Sequence, residues 1–257
     1  MCRMIGRISL VAAPVRYELL DAANSLEHLS RNGCLIAGGT GEHRSGCGIA
    51  WIESEQSHPD KMLSERRGSE DCWNQSFIAR ASQIKTNLLI AHNRKASAGL
   101  RTDLNGAHPF LAQLGNREVA FCHNGDADMF MEHARQRGVP DSKLLFEFLL
   151  QDATTLSAER ISTRLKLLLP GENFSSLSGL LMTDSALCAW RIFAGGKGEH
   201  QESRNRYYTL FVKSDEESVT ICSEPIDDRG NCRLLDNCEL LWIENKNQKL
   251  EVKQLHL

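Results

Sequence analysis

The chain opens Met1-Cys2-Arg3-Met4-Ile5-Gly6, so loss of the initiator methionine would leave one residue carrying both a thiol and a free α-amine. The thiolate is the reactive form of cysteine, and a thiol pKa near ~8.5 lies close to the ~7.7–8.0 of an α-amine. One group can take the other's proton near neutral pH, which makes Cys2 a candidate nucleophile that carries its own base. Cys2 is one of nine cysteines, and alone it reads equally well as a buried strand thiol. Three further segments give it company: Ala91-His92-Asn93-Arg94-Lys95-Ala96-Ser97, Phe121-Cys122-His123-Asn124-Gly125 and Pro140-Asp141-Ser142-Lys143. Singly, each has a plain explanation. Asn-Gly is a strong hairpin signal, Asp141 can cap the helix after it, and an arginine following a strand is usually a surface charge.

Together, in this order and at these separations, the segments resemble the glutaminase domain of class II glutamine amidotransferases, within the N-terminal-nucleophile hydrolases. His108-Pro109-Phe110 and, more weakly, Ser223-Glu224-Pro225 are similar to segments of its stand-alone members. The resemblance implies that Cys2 attacks the side-chain amide of glutamine, forming a γ-glutamyl thioester that water resolves, while the α-amine moves the proton to departing ammonia. It implies Asn124 (side-chain N–H) and Gly125 (backbone N–H) as oxyanion donors, where one such donor is worth about 3–4 kcal/mol in other enzymes. Arg94 offers a planar fork to the substrate's α-carboxylate, with Ser97 as a second contact. Asp141 matches the carboxylate for the α-ammonium, although Lys143 stands where an acidic residue often follows. The chain departs from the stand-alone pattern at His43-Arg44-Ser45-Gly46-Cys47-Gly48, at Arg3, and in one extra residue before His108.

The elements that must position these residues follow from periodicity. Cys2 to Leu10 reads as a strand, and Val15, Leu19, Ala22, Leu26 and Leu29 lie at helical spacing up to a stop at Gly33. Cys47 to Glu53, Leu88 to His92 and Glu118 to His123 read as strands. His58 to Gln75 reads as a surface loop with a helical turn, and Asn93 to Asn116 as irregular. Helices are predicted from Asp141 to about Gln151 and from Ala158 to Leu169. Strands are predicted over Leu177–Met182, Ala186–Phe193, Tyr207–Val212, Val219–Cys222, Leu240–Glu244 and Leu250–Leu255, with hairpin turns at 182–185 and 245–248. Strands, then helices, then strands predict an α+β layered fold. The resemblance sharpens this to a four-layer αββα sandwich of two antiparallel sheets between helices, as a single domain over 1–257.

Composition bounds the partners. At 257 residues, 41% hydrophobic and 25% charged with a net charge of -3, the chain has no basic field for nucleic acid. No apolar run nears the ~18 residues of a membrane span, and no signal-like h-region precedes a cleavage site, so a cytoplasmic protein is expected. The cysteines form no C-x-x-C pair, and His92, His108 and His123 no short ligand spacing, so no metal is expected; the resemblance implies no organic cofactor. Three functions stay open: a glutaminase that hands ammonia to a separate synthase subunit, a hydrolase of γ-glutamyl compounds such as γ-glutamyl-cysteine derivatives, and a non-catalytic glutamine-binding module. Oligomeric state is not legible in the sequence.

Overall fold

Successive side chains on a strand point to opposite faces, so a strand covered on both sides must be apolar at both parities. In β1 (Arg3–Pro14), Met4 and Ile8 take one parity and Ile5 the other, and all three are buried. The structure is a computed structural model that describes residues 2–33, 42–53, 60–96, 101–195, 199–227 and 232–257. The strands that follow are β2 (Gly46–Glu53), β3 (Lys61–Gly68), β4 (Lys85–Arg94), β5 (Phe110–Leu114), β6 (Arg117–Asn124), β7 (Ser178–Met182), β8 (Ala186–Arg191), β9 (Phe211–Ser214), β10 (Ser218–Cys222), β11 (Arg233–Leu234), β12 (Glu239–Lys246) and β13 (Lys249–His256). The helices are α1 (Leu26–Asn32), α2 (Gln75–Ala81), α3 (Met131–Arg137), α4 (Asp141–Leu150), α5 (Ala158–Lys166) and α6 (Glu199–Tyr207).

The strands form two antiparallel sheets, ordered β11-β9-β10-β1-β4-β2-β3 and β13-β12-β8-β7-β6-β5. Between them Met4, Ile8, Ala50 and Ile90 of one sheet meet Cys122, Leu180, Met182 and Leu241 of the other. The opposite parity faces outward onto helices. Ile5, Ile49 and Leu89 pack under Leu26 of α1 and Phe77 of α2, and Phe121, Leu181 and Trp190 pack under Phe146 of α4 and Ile161 of α5. Each fully buried side chain of this size contributes about 1.5–3 kcal/mol. The result is the αββα order of layers expected above.

Several elements differ in detail from the sequence reading. The single helix over Val15–Arg31 is two pieces, a π-helical turn (Tyr17–Asp21) and α1, because Ala22 is extended and Ser25 caps α1 by accepting from the His28 N–H. Within the predicted loop runs β3, which pairs with β2 residue for residue. Its Glu65, Arg66 and Arg67 are charges of the kind that protect a sheet edge, and they hide the apolar alternation that marks a strand. The stretch 93–116 contains β5, paired with β6. Tyr207 ends α6 instead of opening a strand, which begins at Phe211. The turn joining β12 to β13 carries Asn247 and Gln248 at φ 52 and 58, the geometry of a two-residue hairpin loop. No helix of the described residues is long and apolar enough to cross a membrane.

Candidate active site

The site lies where the start of β1 meets the ends of β4 and β6. Arg3 pairs with Asn93 and Met4 with His92, so continuing the register by one residue sets Cys2 beside Arg94. Cys2, Met4, His92 and Arg94 thereby share the face that looks into the sandwich, while Asn93 turns outward to accept from Trp73 Nε1 at 2.7 Å and to donate to the Leu26 carbonyl at 2.5 Å. From the second sheet, the last residue of β6 reaches across: the Cys2 backbone N–H donates to Asn124 Oδ1 at 2.7 Å. Asn124 is buried, and its Nδ2 has no hydrogen-bond partner among the described residues.

Gly125 follows at φ +144, and a Cβ there would lie 2.0 Å from the Ser176 carbonyl oxygen, so only glycine fits. Beyond it, Asp141 opens α4 without capping it; Oδ2 instead accepts from the Ala127 N–H at 2.7 Å. Arg94 is held by a bond from NH1 to the Arg101 carbonyl at 2.5 Å. Arg94 and Asp141 line one pocket of about 320 Å³, walled by Met131, Ala134, Val139 and Pro140. The structure thus brings Cys2, Asn124, Gly125, Arg94 and Asp141 into one region. Ser97 lies outside the described residues.

The electrostatics around Cys2 favour the thiolate. Burial of the thiol pushes its pKa up, but the charge and nearness of His92, the chain's amino-terminal charge and the Lys95 backbone N–H together bring it down to about 6. The neighbouring Cys122 thiol is pushed far up by burial and by Cys2. Burial, with nearby cations and histidines, holds His43 at about 3 and His108 well below the usual imidazole value.

Other residues support the site. His123 Nε2 donates to the Ser176 carbonyl at 3.0 Å, which leaves Nδ1 to accept from the Ser142 hydroxyl at 2.9 Å, tying the residue before Asn124 to α4. Ser223 Oγ accepts from the Met4 N–H at 2.9 Å, and the Ser223 N–H donates to the Met4 carbonyl at 3.0 Å. Arg3, fully buried, donates from NH1 to the Cys2 carbonyl at 2.9 Å and lies 3.8 Å from the Glu224 carboxylate. With Arg66, Lys143 lines an adjoining depression that shares Arg101, Val139 and Pro140 with the Arg94–Asp141 pocket. The sequence reading gave His92 no role in the chemistry; the signal it passed over is strand parity, which sets His92 on the same face as Arg94 two residues on.

The deciding observation is a match of the class-II glutamine amidotransferase profile to residues 21–169, more than half of the chain. The chain belongs to the class-II glutamine amidotransferases. This amidotransferase is 25% identical over 289 aligned positions to the uncharacterized protein MJ1515 of Methanocaldococcus jannaschii, covering all of the chain and 75% of the relative. It is 29% identical over 161 residues to the putative glutamine amidotransferase YafJ of Escherichia coli, covering 60% of the chain and 56% of YafJ. Its fold is that of the glutamine phosphoribosylpyrophosphate amidotransferase of B. subtilis, with a TM-score of 0.64 at 16% identity over 98% of this chain and 49% of the other. A class-II domain protein from Silicibacter pomeroyi matches at TM-score 0.58 and 14% identity, covering 98% of each chain. The amidotransferase therefore spans about half the length of the B. subtilis enzyme and of YafJ. With its two antiparallel sheets between helices it has the architecture of an N-terminal-nucleophile hydrolase.

Proposed function

We propose that this amidotransferase hydrolyses the side-chain amide of glutamine through a thioester on Cys2, once Met1 has been removed. The observation that carries this reading is the Asn124 amide: Oδ1 holds the Cys2 nitrogen at 2.7 Å while Nδ2 stands buried with no partner. A buried donor left open costs about 1–3 kcal/mol, and a substrate oxygen gaining negative charge would offset that cost.

In this reading the Cys2 thiolate attacks the amide carbon, the C–S bond forms, and the oxyanion is held by Asn124 Nδ2 and the Gly125 N–H. The C–N bond then breaks and the α-amine of Cys2 delivers the proton that ammonia needs. Water, deprotonated by the same amine, opens the thioester and releases glutamate and the thiol. Arg94 and Ser97 take the α-carboxylate and Asp141 the α-ammonium; the pocket shared by Arg94 and Asp141 supports that pairing. We read the chain as one domain and any ammonia acceptor as a separate subunit.

A second reading keeps the chemistry and changes the leaving group. It is favoured by Arg3, whose Nε and NH2 have no hydrogen-bond partner although NH1 lies on the carbonyl of the nucleophile. Arg3 is paired with Glu224 at 3.8 Å and lies on the face of β1 opposite the thiol, so a leaving-group carboxylate, as in γ-glutamyl-cysteine compounds, would meet it at the end of the strand.

The test combines intact mass with turnover. The purified chain should lack one methionine, and a glutamine-mimicking diazo-ketone should label Cys2 alone. Release of glutamate from glutamine and from γ-glutamyl-cysteine, measured in parallel, separates the two readings. Turnover of neither, with glutamine binding retained in Cys2→Ala, would leave only a binding module.

A further inference from the structure

His92 is fully buried on the inner face of β4. Its Nε2 lies 3.0 Å from the His123 carbonyl oxygen, and a carbonyl only accepts, so Nε2 carries a proton. In the neutral ring Nδ1 is then a lone pair, and Nδ1 has no hydrogen bond of good geometry within the fold. The ring packs against that of His108, centroids 4.3 Å apart, and lies close enough to the Cys2 thiol for His92 to act on it as a charge and as a loose hydrogen-bonding side chain. Register explains the contact: His92 lies opposite Met4, so Cys2, two residues earlier on the same face, is its diagonal neighbour.

We propose that His92 Nδ1 takes the proton of the Cys2 thiol, holding the nucleophile as a thiolate–imidazolium pair and leaving the α-amine free to serve the departing nitrogen. The proposal rests on Cys2 being the nucleophile and adds a second catalytic group to it. The S–H bond breaks, its electron pair stays on sulfur and an Nδ1–H bond forms, with no net change of charge and no outside reagent. When the sulfur later leaves the thioester carbonyl, the pair is restored as it began. The Nε2–H bond to the His123 carbonyl becomes charge-assisted in the imidazolium, which stabilises it further.

The surroundings leave this pair to exchange the proton. Facing the thiol are the Lys95 backbone N–H, Asn124, Cys122 and Tyr208. Burial raises both Cys122 and Tyr208, so each stays neutral. Near the ring are His43, His108 and His123, all lowered first by burial, with the cations Arg3 and Arg94 close to His43 and His108 and the carboxylates Asp126 and Asp141 close to His123.

The experiment follows alkylation of Cys2 by iodoacetamide in the full, processed chain from about pH 5 to about pH 9, read by peptide mass so that the other cysteines do not interfere. The wild-type rate should reach half its plateau near pH 6. In His92→Gln, which keeps a side-chain donor for the His123 carbonyl but accepts no proton, the midpoint should rise at least one unit toward ~8.5 and the rate near pH 6.5 should fall about threefold or more. A folded His92→Gln with the wild-type midpoint overturns the proposal. Should that variant not fold, the His92 ring is followed by NMR in wild type and in Cys2→Ala. Protonation at neutral pH in the first and not the second is the expected result, and the same state in both overturns it. Neither measurement uses glutamine, so failure of the glutaminase reading and failure of this one are told apart.

Discussion

Asn124 is engaged on one side only: its Oδ1 accepts the Cys2 N–H at 2.7 Å, across 122 residues of sequence, while its Nδ2 donates to nothing among the described residues. The bond joins the two sheets at the proposed nucleophile, and under the proposed mechanism the open donor serves the transition state. Asn124→Asp keeps the acceptor and removes the donor. We expect kcat for glutamine hydrolysis to fall about 10²–10³-fold, with KM changed far less. Steady-state kinetics decide it, and a fall confined to KM would remove Asn124 from the oxyanion assignment.

Asp141 offers a cleaner test of ground-state binding. Asp141→Asn retains an oxygen for the Ala127 N–H, now bonded at 2.7 Å to Oδ2, and so should fold. Without the charge, binding of an α-ammonium should weaken by about 1.5–3 kcal/mol, seen as a rise in KM of roughly ten- to a hundredfold with kcat largely kept. An unchanged KM would place the substrate's amine elsewhere.

Gly125 is a stability prediction. Any Cβ meets the Ser176 carbonyl at 2.0 Å, and φ +144 is itself strained for an L side chain. Gly125→Ala should therefore cost at least about 3 kcal/mol in denaturant unfolding and displace Asn124 as well. A variant of near wild-type stability would show that the turn can open.

The buried histidines predict how stability depends on pH. His43, His108 and His123 all have folded pKa values below the ordinary ~6.5, because burial disfavours the charged ring. Below about pH 6.5 the unfolded chain takes up protons that the folded chain refuses, so stability is lost as pH falls from there, for His43 down to about 3. One such histidine accounts for roughly 1–2 kcal/mol between about pH 7.5 and 5.5. His43→Gln, which can still bond the Tyr207 hydroxyl 3.3 Å from the native ring, should flatten the acid limb by that amount in urea titrations at the two pH values. An identical limb would mean that His43 is charged in the folded state.

The fold was legible wherever apolar parity is strong. β1, β4, β6, β7, β8 and β12 are buried on two faces and read as apolar runs, and α4 and α5 show a Leu/Phe face. It was not legible in β3, an edge strand whose Glu65, Arg66 and Arg67 answer to solvent, nor in the break at Ala22, which a regular apolar spacing passes over. Periodicity reports burial: at an edge, charges replace the buried apolar residues and leave it nothing to report, whereas a kink leaves the buried set unchanged and so goes unseen.

For the site, the chain by itself determined the inventory: a thiol at position 2, an Asn-Gly pair after a strand, an arginine at the end of another, and an aspartate opening a helix. Side-chain type and local order are covalent facts, and they suffice to say which chemistry is available. Only the tertiary structure decided the neighbours. It turned Asp141 from its own helix to the Ala127 N–H, set Arg94 and Asp141 on one pocket, and placed His92 on the same sheet face as Cys2. Those relations depend on strand register and on the approach of two sheets, which are set by long-range pairing that no local pattern encodes.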